Sequence, residues 1–257
     1  MTGREGELVG AVALLALAPV AGSAAHAFAT RYPDDLAGWL AGRSRCPRCG
    51  TPLGARDLVP ILSFLWLRGR CRYCAAPIDR ESLGAELFAL LQAGLSLAIS
   101  PWPLATVSCL VGWILLAAAL VDRRTLLLPD LLTLPLLAGG FLAALSGLAP
   151  ATPIGALAGA ALGWAGTALV AEAYRRWRGR EGLGSGDAKL LAAAGAWCGP
   201  WPLPWILLIG AGSALLAAFA TGAWRRPAEP IAFGPWLALG FWSVLLVELS
   251  ALGAARP

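Results

Sequence analysis

The sequence predicts an all-α polytopic membrane protein of about eight transmembrane helices, interrupted by one small polar insertion. Three observations predict it. Of 257 residues, 58% are hydrophobic and only 14% charged, whereas a soluble domain is about one-quarter charged. Apolar segments of near-spanning length recur along the chain, and a bilayer core about 30 Å thick needs roughly 20 such residues per helix. The arginines fall in clusters at alternate connections. Helices follow rather than strands, because an open sheet edge would leave backbone groups unpaired in hydrocarbon.

The expected spans are 8–29, 83–100, 103–121, 131–149, 153–174, 187–200, 203–222 and 232–252. Segment 8–29 ends in Ala25-His26-Ala27, which resembles a signal-cleavage site. A retained span fits better, since the n-region sets Arg4 against Glu5 and Glu7 and lacks the usual positive charge. Segment 187–200 is the shortest of the eight, so a re-entrant helix shielded by its neighbours is the alternative there. Segment 30–82 holds nine arginines, four of the six cysteines and no apolar span. It reads as a small polar domain, the one place where strands are expected. The division is therefore 1–29 as first transmembrane helix, 30–82 as inserted domain and 83–257 as seven-helix membrane domain.

Charge position orients the chain. Nine arginines lie in 30–82, Arg123 and Arg124 follow the third span, Arg175, Arg176, Arg178 and Arg180 follow the fifth, and Arg225 and Arg226 follow the seventh. With eight spans these connections all fall on one side, and the positive-inside rule makes that side cytoplasmic. The net charge of +5 is thus a topology signal, and no nucleic-acid partner is expected; membrane lipid is.

Cys46-Pro47-Arg48-Cys49 and Cys71-Arg72-Tyr73-Cys74 are two C-x-x-C pairs 21 residues apart. Two thiolates from each pair complete the tetrahedral four-sulfur shell of structural zinc. Disulfides are the competing reading, disfavoured in a reducing compartment. Such an insertion has few aliphatic side chains, so a metal would hold it together. Cys109 and Cys198 lie in apolar segments and read as packing residues.

Asp122 ends the third span and Asp187 begins the sixth, in Gly184-Ser185-Gly186-Asp187. Topology puts both at the cytoplasmic face. Two neighbouring carboxyls tend to share one proton, so that one activates a water while the other polarises a scissile carbonyl. Gly184 and Gly186 leave room for an extended substrate backbone. Each acid also has an ordinary reading: Asp122 as an interfacial acid beside two arginines, Asp187 as a helix cap. Asp130 competes for the catalytic role, Glu86 is an ionisable group inside a span, and Lys189 reads as an interfacial lysine that snorkels to the membrane surface.

These blocks together resemble the prepilin peptidase family, or type IV leader peptidases, among the intramembrane Gly-x-Gly-Asp aspartyl proteases. The likeness runs through Gly22-Ser23, Ser44-Arg45-Cys46-Pro47-Arg48-Cys49, Asp57-Leu58-Val59-Pro60-Ile61-Leu62-Ser63, Leu67-Arg68-Gly69-Arg70-Cys71-Arg72-Tyr73-Cys74, Asp122 with Leu128-Pro129-Asp130, Gly184 to Leu191, and Phe233-Gly234-Pro235. It implies catalysis by Asp122 and Asp187, zinc on the four cysteines, and prepilin or pseudopilin substrates of type IV pili or type II secretion. It also implies a multi-pass protein of the bacterial inner membrane with its active site on the cytoplasmic side. Many members also methylate the new amino terminus with S-adenosylmethionine. Here Gly22-Ser23 leads to Ala24-Ala25-His26-Ala27 where the family has an asparagine run, which weakens the methyltransferase assignment. Two other functions compete: an ion-coupled transporter using Asp122, Asp187 and Glu86, and a non-catalytic secretion or pilus scaffold. Matching halves, expected of an inverted-repeat transporter, are not seen.

Overall fold

A computed structural model describes residues 3–36, 39, 42–179, 184–225 and 232–255. Arg180 and Arg226, which enter the charge argument, lie outside the described residues. The described chain is helical, with helices α1 (Gly3–Arg31), α2 (Leu62–Trp66), α3 (Arg80–Ile99), α4 (Trp102–Thr125), α5 (Asp130–Leu145), α6 (Pro153–Arg178), α7 (Ser185–Cys198), α8 (Leu203–Thr221) and α9 (Gly234–Ala254). Each expected span coincides with a helix. Six of them, α1, α3, α4, α6, α8 and α9, are long and apolar enough to cross a membrane; α5 is apolar but shorter. Helix α7 has 14 residues, roughly 21 Å at 1.5 Å per residue.

Proline and glycine punctuate these helices. Pro103, Pro153, Pro204 and Pro235 stand in first turns, where a missing N–H costs nothing. Gly147, Gly179, Gly199 and Gly222 follow helix ends with positive φ, a conformation that glycine adopts without strain. Gly147 explains why α5 stops at Leu145 rather than near 149.

The chain divides into two compact units, Met1–Ala98 and Ile99–Pro257. In the first, α1 meets α3 closely: a Cβ on Gly22 would lie 2.4 Å from the Ala85 carbonyl oxygen. Strands expected in 30–82 are absent among the described residues. Only two isolated antiparallel bridges form, Arg45 with Pro52 and Arg70 with Pro77. The reason is local, because each C-x-x-C pair closes on itself within about ten residues and leaves no length for a ladder.

In the second unit α7 is wrapped by α5, α6 and α9, while α4 and α8 pack on α9. Nearly every residue of α7 from Asp187 onward is buried. The α6–α7 seam is backbone against backbone. A Cβ on Gly159 would lie 2.2 Å from the Gly195 carbonyl oxygen, one on Gly195 2.1 Å from that of Gly159, and one on Gly163 2.4 Å from that of Leu191. Gly159 and Gly163 stand four residues apart, which aligns them on one helix face and permits this approach. Trp197 donates its indole N–H to the Leu136 carbonyl at 2.8 Å, tying α7 to α5.

Candidate functional site

Three helix ends of the second unit converge: the carboxyl end of α4 and the amino ends of α7 and α9. Asp122, in the last turn of α4, and Asp187, in the first turn of α7, are both buried and near enough for their charges to interact. Each carboxylate accepts a backbone N–H at the start of a helix. Gly234 donates to Asp122 Oδ2 at 2.9 Å, and Gly184 donates to Asp187 Oδ2 at 3.3 Å. A helix amino end carries partial positive charge and unpaired donors, so each acid has its own source of stabilisation.

Sequence detail fixes these contacts. Pro235 removes one of the free donors of α9, and the Trp236 N–H turns back to the Phe233 carbonyl at 3.1 Å. The Gly234 N–H is left to face Asp122. A Cβ on Gly234 would sit 2.7 Å from Asp122 Oδ2, so glycine is the residue that lets the helix end reach the carboxylate. Asp187, third in α7, bends back to the N–H of Gly184, as an acid at that position does in a capping box.

The two glycines before Asp187 differ. Gly184 is open, its nearest neighbour for an added Cβ being Asp187 Oδ2 at 3.6 Å. Gly186 is not: a Cβ there would come 2.8 Å from Leu128 Cβ, so its bareness seats the loop between α4 and α5. Asp130 opens α5 and pairs with Lys189 Nζ at 2.5 Å. Both partners are more than one-third exposed, so the pair contributes little stability; it orients the first turns of α5 and α7. A groove of about 370 Å³ runs beside the start of α7, lined by Trp164, Thr167, Glu172 and Arg175 of α6 and by Gly184, Ser185 and Lys189.

In the first unit Cys46, Cys49, Cys71 and Cys74 come together with every sulfur within 4.8 Å of the others, and none is in a disulfide. Such a cluster can hold a metal ion. Two equivalent knuckles build it. Cys46 N–H donates to the Thr51 carbonyl at 3.0 Å and Gly50 N–H to that of Cys46 at 2.9 Å; Cys71 N–H donates to the Ala76 carbonyl at 2.8 Å and Ala75 N–H to that of Cys71 at 2.9 Å. The repeat, offset by 25, runs from Ser44 to Leu53 and from Gly69 to Ile78. Hydrogen bonds from Thr51 hold the Cys49 thiol down at about 6, and the backbone N–H groups of Tyr73 and Cys74 lower Cys71. Cys109 and Cys198 are buried in helices.

The remaining sequence candidates have partners. Glu86 Oε2 accepts the Ile61 N–H at 2.7 Å, and His26 Nε2 lies 3.2 Å from Asp79 Oδ2, an oxygen of the residue that precedes α3. Sequence reasoning missed Gly234 as a member of the acid site and missed the internal repeat of the knuckles. The Gly-Pro pair at a helix start, and the recurrence of Arg-Cys-x-x-Cys-x-x-Pro, were the available signals.

Comparison with known proteins gives two family models and several similar relatives. A family model described as the Bacterial Peptidase A24 N-terminal domain matches residues 16–99, and one described as the Type IV leader peptidase family matches 109–222. A protein of Aeromonas hydrophila is 42% identical over 214 residues, covering 79% of this chain and 71% of its own. One of Dickeya chrysanthemi is 41% identical over 203 residues, 76% and 70% of the two chains. One of Dichelobacter nodosus is 39% identical over 221 residues, 83% and 74%. All three are named prepilin leader peptidase/N-methyltransferase. No solved structure matches the chain. With relatives this similar along most of both chains, the protein belongs to the type IV leader peptidase family.

Proposed function

We propose that this multi-pass membrane protein is an aspartic endopeptidase that removes the leader from prepilins or from the pseudopilins of type II secretion. One observation carries the reading: Asp122 and Asp187 are both buried, at helix ends that converge, and near enough for their charges to interact. In the reaction one carboxylate takes a proton from water, the water oxygen attacks the scissile carbonyl, and the other carboxyl donates to the departing amide nitrogen. Gly184 offers an unobstructed backbone beside Asp187 for the substrate strand, while Gly186 admits Leu128 and so shapes the same turn.

On this reading 1–29 is the first transmembrane helix, 30–82 a cytoplasmic metal domain and 83–257 the protease domain. The protein lies in the bacterial inner membrane with both acids at its cytoplasmic face, as the arginine distribution suggests. Zinc suits the four cysteines. Four sulfurs about 2.3 Å from a tetrahedral centre are about 3.8 Å apart, and Cys46 Sγ lies 3.8 Å from Cys74 Sγ. Held by Cys46, Cys49, Cys71 and Cys74, zinc would supply a closed structural node there.

The relatives' name includes N-methyltransferase. For that second step S-adenosylmethionine would supply the methyl group, and His26 stands in the segment where the family pattern is altered. Coexpression with prepilins of the same genome, with each product's amino terminus read by mass spectrometry, reports cleavage and methylation together. Asp122→Asn and Asp187→Asn should each abolish cleavage at unchanged membrane abundance. Wild-type cleavage by either variant removes that residue from the mechanism.

A further inference from the structure

Ile61 has the least ordinary backbone of the first unit. Its φ of 62° and ψ of −55°, with the Leu62 N–H donating to the Pro60 carbonyl at 2.6 Å, make a γ-turn of the rare hand. A β-branched residue at positive φ is strained, and such strain persists only where surrounding contacts hold it. The contact is Glu86. Its Oε2 accepts the Ile61 N–H at 2.7 Å and its Oε1 lies 3.5 Å from the Ser82 hydroxyl.

Glu86 belongs to α3, one of the membrane-crossing helices, and stands six residues after Arg80. At 1.5 Å per residue that is about 9 Å along the axis. The γ-turn is therefore pinned to a membrane helix beyond its first turn, at the level where the apolar part of α3 begins. A carboxylate at that depth needs partners, and the turn supplies one.

What the pinned turn carries is apolar and unpartnered. Leu62, Leu65 and Trp66 of α2 are 62%, 61% and 77% exposed, and Leu58 and Val59 beside them are also exposed. Arg56, Arg68 and Arg70 flank this patch and are exposed in turn. We propose that residues 58–66 form a membrane-surface anchor: Leu62, Leu65 and Trp66 enter the boundary between headgroups and acyl chains, and the flanking arginines contact anionic phospholipid headgroups. Three features select lipid as the occupant. The patch is tethered to a spanning helix. Its exposed charges are arginines, the side chain of the one acid beside it, Asp57, being buried and paired with Arg72 at 2.7 Å, and they complement an anionic surface. An apolar face with a tryptophan and a basic rim is the composition of interfacial segments.

The test uses the intact protein in vesicles of phosphatidylethanolamine and phosphatidylglycerol doped with a phospholipid bearing a diazirine near the start of its acyl chain. After illumination, adducts are mapped by mass spectrometry. Adducts are expected on 58–66 and on the exposed face of α8 at Leu208, Leu215 and Leu216, with none on the exposed knuckle tip at Tyr73 and Cys74. Replacing phosphatidylglycerol by phosphatidylcholine, or Arg56, Arg68 and Arg70 by Gln, should lower labelling of 58–66 several-fold and leave α8 unchanged. Labelling of α8 without 58–66 overturns the proposal. So does protection of 58–66 that grows with protein density in the vesicle, since a second copy would then be the occupant. The readout needs no substrate, so its failure would leave the peptidase assignment standing.

Discussion

The Gly234 N–H donates to Asp122 Oδ2 at 2.9 Å across 112 positions of sequence, and the missing side chain of Gly234 is what allows it, since a Cβ would stand 2.7 Å from that oxygen. Gly234→Ala should displace the carboxyl and lower kcat for leader cleavage at least about tenfold, the scale on which a misplaced catalytic group loses rate. KM and membrane abundance should change less. Gly212→Ala in α8, where an added Cβ meets nothing within 4 Å, should leave kcat unchanged. Equal effects of the two substitutions would show that close approach to Asp122 is not what Gly234 provides.

The glycine seam gives a prediction about folding. Gly159→Leu or Gly195→Leu drives side-chain atoms into the facing backbone and should reduce folded protein in the membrane by several kcal/mol-worth of packing, as overpacking of a dense interior does. Gly212→Leu, on the open face of α8 where an added Cβ meets nothing within 4 Å, should leave melting in detergent unchanged. A Gly195→Leu protein that melts like the parent would contradict the seam.

The paired knuckles carry different residues at the position after the second cysteine, Gly50 in one and Ala75 in the other. Gly50 and Ala75 both follow a second cysteine and have φ of 69° and 56°, a region that costs a residue with a Cβ about 1–2 kcal/mol. Gly50→Ala should therefore speed metal release to a chelator about tenfold, whereas Ala75→Gly should slow it or leave it unchanged, the relief of strain being offset by added freedom of the open chain. Identical rates for both variants would mean that the knuckles are not equivalent.

Orientation can be read by cysteine labelling from outside intact cells, with the native thiols left in place. Trp201, 87% exposed between α7 and α8, should react as Trp201→Cys, and Arg225→Cys at the other end of α8 should not. Reaction at 225 would reverse α8 and α9.

Much of this was legible in the sequence. Six segments announced themselves by length and apolarity, and the four cysteines stood out as a paired C-x-x-C. Asp122 and Asp187, each of which has an ordinary reading alone, stood out only jointly, as two acids that the arginine pattern puts at one face. The strands expected in 30–82 failed because polar composition says only that a segment is not a span. The role of Gly234 was hidden for a different reason. Its meaning lies in an oxygen on another helix, and no local pattern reports that distance. Gly186 meets a second demand that no local pattern shows, for a bare position can serve a neighbour such as Leu128 as well as a substrate.

Helix α7 ends at Cys198, where the Ala151 N–H reaches in to donate to the Trp197 carbonyl at 3.3 Å. As one of eight spans, α7 would be only about 21 Å long, short of a bilayer core about 30 Å thick. On the eight-span reading, local thinning of the bilayer accommodates the difference. Lipid chain length thereby becomes a variable of the fold, each ångström of mismatch costing a fraction of a kcal/mol, and shorter acyl chains should suit the protein better than longer ones.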